Sequence, residues 1–289
     1  MQGCALRRAF VTFLRGFGQV MLQESALAGA LFLVGIATSS VPMALGGMAG
    51  ALSGVVTAKL CGCKTDDLRK GWYGYNGALV GIALPVFHQP GALLCALIVT
   101  GGALATVVLR AMLRRADHLP PYTAPFVLST WGMLAIADLA GIASAVAGDA
   151  AMRTGEIPAL LRGVGQVMFQ GAWPAGLIFL AGLALHSRQA AAWALIGSAL
   201  GLATARSLGY PEEPAAAGIF GYNGALTGIA LAARFRGDAV APLLGIVLST
   251  VATRGFQLAG IPALTAPFVL SSWAVGLAVS CLPPAARRP

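Results

Sequence analysis

The sequence GYNGALVGIAL at Gly74–Leu84 returns almost unchanged as GYNGALTGIAL at Gly221–Leu231. The two stretches share ten identities in eleven positions and are separated by an offset of 147 residues. Self-similarity at such a distance indicates a fold that is built from two copies of one structural unit.

Two further motifs recur in the same order along the chain. LRGFGQVMLQ at Leu14–Gln23 matches LRGVGQVMFQ at Leu161–Gln170 in eight of ten positions. LPPYTAPFVLSTW at Leu119–Trp131 matches IPALTAPFVLSSW at Ile261–Trp273 in nine of thirteen positions, at an offset of 142. Three motifs repeated in one order predict two repeats, residues 1–145 and residues 146–289.

The composition places both repeats in a membrane. Of the 289 residues, 57% are hydrophobic and only 10% are charged, against about 25% charged residues in a soluble domain. A soluble enzyme is therefore excluded. The net charge of +9 does not indicate nucleic-acid binding, because the Lys and Arg residues lie in short clusters between uncharged stretches, as membrane loop anchors do.

We predict an all-α polytopic membrane protein with about five transmembrane helices and one re-entrant helix in each repeat. The re-entrant helices are the polar LRG segments, near Ala9–Gln23 and Pro158–Gln170, which are too short and too polar to cross lipid. The predicted spans lie near Ala26–Ser40, Val41–Ala58, Gly71–Phe87, Gly91–Met112 and Pro120–Ala137 in the first repeat, and near Pro174–His186, Ala190–Ala205, Pro214–Ala233, Val240–Phe256 and Pro262–Cys281 in the second.

The loop charges predict that the repeats are inverted. An odd number of crossings makes the two halves antiparallel, and equivalent loops carry complementary numbers of basic residues. With both termini cytoplasmic, fifteen Lys and Arg fall inside and four fall outside, namely Arg153, Arg162, Arg206 and Arg254. The positive-inside rule therefore favours an inverted repeat with both ends in the cytoplasm, and such repeats place a shared path near the bilayer midplane.

The duplicated polar side chains indicate a neutral solute. Ionic paths carry charge inside the spans, whereas the duplicated motifs here are uncharged except for the arginine of LRG. Pro125 and Pro267 lie in helix-like runs, where a proline removes the hydrogen bond to the carbonyl four residues earlier, here Pro121 and Ala263. We expect these freed carbonyls to accept hydrogen bonds from a solute that is rich in N–H donors.

The three motifs resemble those of the urea transporter family over nearly the whole chain, from about Leu14 to Trp273. The resemblance implies a homotrimer in which each protomer, embedded in membrane lipid, has its own pore between two inverted halves and conducts urea passively. We expect no cofactor, no metal and no enzymatic activity.

The resemblance also assigns the pore residues. Thr123 and Thr265 would line the narrow middle of the pore, and Gln19 and Gln166 would bond urea at two flanking sites. A flat slot would be formed by the remaining six residues, which are Leu22, Tyr75, Leu79, Phe169, Tyr222 and Leu226. Leu22 departs from its aromatic counterpart Phe169, so the two flanking slots need not be equal.

Alternatives remain open at this level. The glutamines could join helices, the tyrosines could anchor the chain at the membrane interface, and the leucines could simply pack. A channel for another small neutral solute, such as ammonia or a short amide, is the nearest rival function, although the three histidines lie at predicted loops and none is duplicated. An intramembrane enzyme is less favoured, since the sequence carries no HExxH or GxSxG motif.

Overall fold

The computed structural model describes residues 2–115, 119–145 and 155–281, and in that part of the chain it is helical without strands. The chain divides into two compact units. Unit 1 comprises residues 1–117 and 121–151, and unit 2 comprises residues 118–120 and 152–289. The predicted repeat boundary after residue 145 and the predicted loop charges Arg153, Arg287 and Arg288 lie at or outside the limits of the described residues.

Unit 1 contains seven of the described helices. Helices α3 and α5 form its most extensive pairing, and α6 packs against both. The helices are α1 (Gln2–Gln19), α2 (Ala26–Ser39), α3 (Val41–Leu60), α4 (Thr65–Arg69), α5 (Tyr75–Phe87), α6 (Ala92–Arg115) and α7 (Ala124–Leu139).

Unit 2 repeats this order of helices. Here α10, α12 and α13 form the central group, and a 3-10 turn at Gln166–Met168 follows α8. The helices are α8 (Glu156–Gly165), α9 (Trp173–His186), α10 (Arg188–Ser207), α11 (Glu212–Ala216), α12 (Tyr222–Arg234), α13 (Val240–Leu258) and α14 (Ala266–Cys281).

The described helices include segments that can cross a membrane. Val41–Leu60, Ala92–Arg115 and Val240–Leu258 are long and apolar enough to do so alone. The segments Glu156–Met168 and Trp173–His186 together form a pair bent by 74°, as expected for a re-entrant helix followed by a span. An all-α membrane protein is thus confirmed, whereas the number of crossings and the inverted arrangement stay predictions.

Glycine allows the central helices of each unit to touch backbone to backbone. A Cβ on Gly77 of α5 would overlap the carbonyl oxygen of Gly50 on α3, and a Cβ on Gly81 would overlap that of Gly46. Small residues four positions apart permit this close approach between membrane helices. In unit 2, Gly224 of α12 meets the carbonyl oxygen of Gly197 in the same way. The glycines of the duplicated GYNGAL motif therefore specify helix packing.

Several helices begin and end at other residues than predicted. The membrane helices α5 and α12 begin at Tyr75 and Tyr222, several residues after the predicted starts near Gly71 and Pro214. The separate short helices α4 (Thr65–Arg69) and α11 (Glu212–Ala216) precede them. Gly71 and Gly218 have φ angles of 84° and 81°, and this left-handed backbone interrupts the helices. Helix α1 is longer than predicted because it extends toward the N-terminus to Gln2.

Candidate functional site

The end of the LRG element has the same backbone conformation in both units. After α1, the amide of Leu22 bonds the carbonyl of Gln19 at 3.0 Å, and after α8 the amide of Phe169 bonds the carbonyl of Gln166 at 3.0 Å. Leu22 and Phe169 adopt φ angles of 62° and 60°, in the left-handed region that residues other than glycine rarely occupy. Such backbone strain is often found at functional sites.

One face of this otherwise buried element is accessible. Within residues 16–23, Gln19 and Leu22 are partly exposed and their neighbours are buried. The pattern is identical within residues 163–170, where Gln166 and Phe169 are partly exposed. In each unit, the predicted glutamine and its predicted slot residue are therefore the two accessible side chains of this stretch.

The arginine and glutamine of each LRG element hold the end of the neighbouring short helix. In unit 1, Arg15 Nη1 donates to the carbonyl of Arg69 at 3.0 Å, and Gln19 Nε2 donates to the carbonyl of Lys70 at 2.9 Å. These carbonyls at the end of α4 belong to the groups that lack partners within their own helix. The bonds fix the orientation of the Gln19 amide and leave its oxygen Oε1 as an acceptor.

Unit 2 contains the same pair of hydrogen bonds. Arg162 Nη1 donates to the carbonyl of Ala216 at 3.2 Å, and Gln166 Nε2 donates to the carbonyl of Ala217 at 3.1 Å. Arg162 is one of the four basic residues predicted to lie outside, but its side chain is buried against backbone carbonyls. The arginine of LRG is therefore a structural clamp.

The LRG and GYN motifs touch through their glycines. A Cβ on Gly16 would lie 3.3 Å from Cα of Gly74, the residue that precedes Tyr75. In unit 2, a Cβ on Gly163 would lie 3.3 Å from Cα of Gly221. These contacts bring the end of the re-entrant element to the beginning of α5 or α12.

The GYN motif in turn holds the beginning of the next motif helix. In unit 1, the hydroxyl of Tyr75 donates to the carbonyl of Tyr122, and Asn76 Oδ1 accepts the amide of Phe126 at 3.1 Å. Tyr122 has a left-handed backbone, with a φ angle of 45°. The hydrogen bond from Tyr75 holds its carbonyl in place. The asparagine supplies the N-terminal cap of α7 from outside that helix.

The same arrangement occurs in unit 2. The hydroxyl of Tyr222 donates to the carbonyl of Leu264 at 2.6 Å, and Asn223 Oδ1 accepts the amide of Phe268 at 3.2 Å. Leu264 also has a left-handed backbone, with a φ angle of 46°. In each unit the three duplicated motifs therefore meet in one group, here called the motif cluster: residues 14–23, 74–79 and 122–126 in unit 1, and residues 161–170, 221–226 and 264–268 in unit 2.

The predicted threonines lie at the centre of this arrangement. Thr123 is the residue before α7, and Thr265 is the residue before α14; both side chains are buried. A threonine in this position commonly caps its own helix, but Thr123 makes no cap hydrogen bond. The cap of α7 comes from Asn76 instead.

The prediction that the two prolines free backbone carbonyls is wrong. Pro125 and Pro267 are the second residues of α7 and α14, where a missing N–H breaks no intrahelical bond. The carbonyls of Pro121 and Ala263 are not freed, because each accepts an amide at 3.0 Å, from Ala124 and Ala266 respectively. The prolines begin these helices instead of interrupting them.

Leu79 and Leu226 are fully buried one turn into α5 and α12. Their role in the predicted slot, like that of the tyrosine rings, stays a prediction. His88 does not support the rival function as an ammonia channel. Its buried side chain bonds Asp138 at 3.0 Å at the far end of α5, about 20 Å along the helix from Tyr75.

A family model described as the urea transporter matches residues 10–280. The chain belongs to the urea transporter family. Its function is accordingly the transport of urea across a membrane. Among known urea transporters, urea transporter 1 of Ovis aries is 28% identical over 286 residues, covering 90% of this chain and 74% of its own. Urea transporter 1 of Mus musculus is 31% identical over 241 residues, covering 77% of this chain and 62% of its own.

Some residues that shape the site of this urea transporter were missed at the sequence level. Gln23 and Gln170 are buried and fold their amides back onto the carbonyls of Met21 and Met168, at 2.7 and 2.5 Å, which stabilises the strained turn. Their duplication in the LRG motif could have revealed them. The left-handed residues Tyr122 and Leu264 carry no such signal, because the two side chains differ.

Proposed function

We propose that this chain conducts urea passively and that each motif cluster supplies one set of hydrogen-bonding positions along the path. The supporting observation is that the three duplicated motifs meet in each unit. The cluster side chains facing outward from the LRG element are an uncharged amide and an apolar residue. In each unit the charged side chain of the LRG element, Arg15 or Arg162, is engaged with backbone carbonyls.

The chemistry of these groups suits urea. Urea is planar and carries four N–H donors and one carbonyl acceptor, and removing its water costs several kcal/mol unless other partners replace it. We propose that Gln19 and Gln166 accept urea N–H groups through Oε1 at the flanking sites. Leu22 and Phe169 would contact the face of the flat molecule. The backbone carbonyls of Gln19 and Gln166 each accept one amide and would offer their second lone pair to urea.

We assign Thr123 and Thr265 to the narrowest part of the path, with Tyr75, Leu79, Tyr222 and Leu226 forming its apolar walls. In unit 1 the beginnings of α5 and α7 meet, as the Tyr75–Tyr122 hydrogen bond requires. Helix N-termini carry partial positive charge. Cations would be repelled there, which favours a neutral solute over a cationic one.

The assignment of a passive mechanism has a direct test. Purified protein in liposomes should accelerate urea efflux over empty liposomes, and uptake of labelled urea should be unchanged by a pH or sodium gradient. Accumulation of urea against its gradient when either ion gradient is applied would contradict passive conduction. Ammonia and short amides measured in the same vesicles test the rival solutes, since a path built for urea should conduct them more slowly.

We further propose a homotrimer in a cell membrane with both termini cytoplasmic and no catalytic activity. The trimer comes from the resemblance of the motifs, and the orientation comes from the distribution of Lys and Arg. Native mass spectrometry of the purified protein should give a mass of three chains. Protease treatment of intact cells should leave tags on both termini uncut, and cleavage of either tag would contradict the orientation.

A further inference from the structure

A cavity of about 540 Å³ opens in unit 1, at the ends of α3 and α6. It lies outside the motif cluster, and urea transport gives it no role. Its polar and aromatic lining consists of Lys64, Asp67, Trp72, Tyr73, Arg110 and Arg114.

The cavity lies at the level where a membrane helix reaches water. Both α3 and α6 are long and apolar enough to span the bilayer. The cavity is lined by residues directly after the end of α3 and by residues in the last turns of α6. Trp72, which packs under the ammonium group of Lys70 at 5.5 Å, is a residue type typical of this interfacial level.

The lining attracts anions. Lys64, Arg110 and Arg114 contribute three positive charges against the single carboxylate of Asp67. Guanidinium groups bind phosphate through paired N–H donors. The buried Tyr73 adds a hydroxyl, and burial raises its pKa, so the hydroxyl stays protonated and can donate a hydrogen bond.

Unit 2 has an aromatic ring at the equivalent place. Thr106 and Thr250 bond the carbonyls of the equivalent residues Tyr73 and Phe220, and this register aligns Arg110 with Arg254. The offset of 147 residues that relates the LRG and GYN motifs aligns Cys63 with Tyr210. The ring of Tyr210 lies 5.3 Å from that of Phe220 and 5.8 Å below the Arg254 guanidinium. A small cysteine thus stands in the lining of unit 1 where unit 2 has a large side chain.

We propose that the cavity binds a phosphate-bearing anion and that this anion is the headgroup of an anionic phospholipid. The interfacial depth, the excess positive charge and the open space beside Cys63 together suit a phosphodiester whose acyl chains remain in the bilayer. Basic pockets between membrane helices are suited to such headgroups.

Native mass spectrometry of the full protein with added phosphatidylglycerol tests the proposal. The protein should retain phosphatidylglycerol over phosphatidylcholine. The double variant Arg110→Gln/Arg114→Gln should lower the retention of phosphatidylglycerol about tenfold or more. Cys63→Tyr should lower it as well, since the added ring fills the cavity without removing any charge.

A matched control removes the same charge elsewhere. Arg7 and Arg8 line a separate cavity of about 390 Å³ in the same unit. Arg7→Gln/Arg8→Gln should leave phosphatidylglycerol retention near that of the parent. An equal loss in this control would mean that diffuse charge attracts the lipid, and it would overturn the assigned site.

Two further results would overturn the proposal. One is unchanged lipid retention in both the Arg110→Gln/Arg114→Gln and the Cys63→Tyr proteins. The other is displacement of the lipid by inorganic phosphate at equal concentration, which would identify free phosphate as the ligand. Urea efflux from liposomes should be unaltered in the arginine variants, which confirms that any loss of lipid binding occurs in folded protein.

Discussion

The motif clusters of the two units have the same framework but differ in the side chains mounted on it. Both have the strained turn, and in both an arginine and a glutamine bond the end of the neighbouring short helix. In both, a tyrosine hydroxyl also bonds the carbonyl of a residue with a left-handed backbone. They differ at the slot residue, where Leu22 stands opposite Phe169. They also differ at the arginine: Arg15 lies 4.0 Å from the carboxylate of Glu24, whereas Arg162 bonds the backbone carbonyl of Gly171 at 3.2 Å.

The two motif clusters share some features and differ in others. The repeated features are backbone contacts and uncharged hydrogen-bonding groups, which suggests that geometry is the common requirement. The divergent features are the apolar contact surface and the partner of the arginine. Glu24, for which the sequence offers no role, has one in unit 1 as the partner of that arginine.

The largest expected effect comes from breaking the shared framework. Gly77→Ala and Gly224→Ala each place a Cβ against a backbone carbonyl of the facing helix, and overpacking of this kind costs about 1–3 kcal/mol. Both variants should lower the midpoint of thermal aggregation, measured by fluorescence-detected size exclusion. Gly132→Ala on α7 is the matched control, because a Cβ there meets nothing within 4 Å. A lower midpoint in only one of the two variants would show that the helix packing of the two units is not equivalent.

Removing the threonine hydroxyls should have the next largest effect. Thr123→Val or Thr265→Val keeps the shape of the side chain and removes a partner of about 0.5–1.5 kcal/mol, so urea efflux from liposomes should slow about two- to tenfold. The double variant should be slower than either single variant.

Thr130→Val is the matched control for these substitutions. Thr130 is buried on α7, and its hydroxyl has no hydrogen-bond partner, so its replacement should leave both efflux and stability unchanged. Parental efflux in the Thr123→Val/Thr265→Val double variant would remove these residues from the constriction.

Exchanging the divergent slot residues should have a smaller effect on urea transport. Phe169→Leu gives unit 2 the slot residue of unit 1, and Leu22→Phe does the reverse. A contact difference of about 1 kcal/mol would change the half-saturating urea concentration about fivefold, measured for influx and efflux in vesicles with oriented protein. The two substitutions should act in opposite directions, and similar shifts from both would mean that the slots are not counterparts.

The smallest effect concerns an ion-pair group that exists in unit 2. Arg206 bonds Glu156 and Glu212, and the hydrogen bond from Arg206 lowers the pKa of the Glu212 carboxyl. Unit 1 has Ala9 and Thr65 at the positions equivalent to Glu156 and Glu212, so it has no such group there. A lowered folded-state pKa contributes stability above the ordinary pKa of glutamate, and the contribution is lost as the pH falls through the lowered value.

The pair is solvent-exposed, so its effect on stability is small. The thermal midpoint of the parent should fall as the pH drops below about 4. Arg206→Gln should reduce this acid-dependent fall while changing the midpoint at neutral pH only slightly. An identical pH profile in parent and variant would mean that the ion pair contributes nothing to folding.

The class of protein, the duplication and the residues around which the site is built can all be predicted from the sequence. Low charge and long apolar runs require lipid, and identical residues at a constant offset require two similar units. The ten predicted site residues fall in the motif clusters because these clusters consist of the duplicated stretches themselves. Helix boundaries near Gly71 and Gly218 were missed, since apolar composition continues through a left-handed residue that ends a helix.

The hydrogen-bond partners of the duplicated groups depend on the three-dimensional fold. The sequence favours Pro125 as a helix breaker, but a proline in the first turn breaks nothing, and its position in the helix depends on the fold. Tyr75 reaches the carbonyl of Tyr122 across 47 residues, and Gln19 reaches that of Lys70 across 51. Such partners are backbone atoms, which every residue possesses, so no side-chain pattern encodes them. The space beside Cys63 likewise exists because helices α3 and α6 end together there.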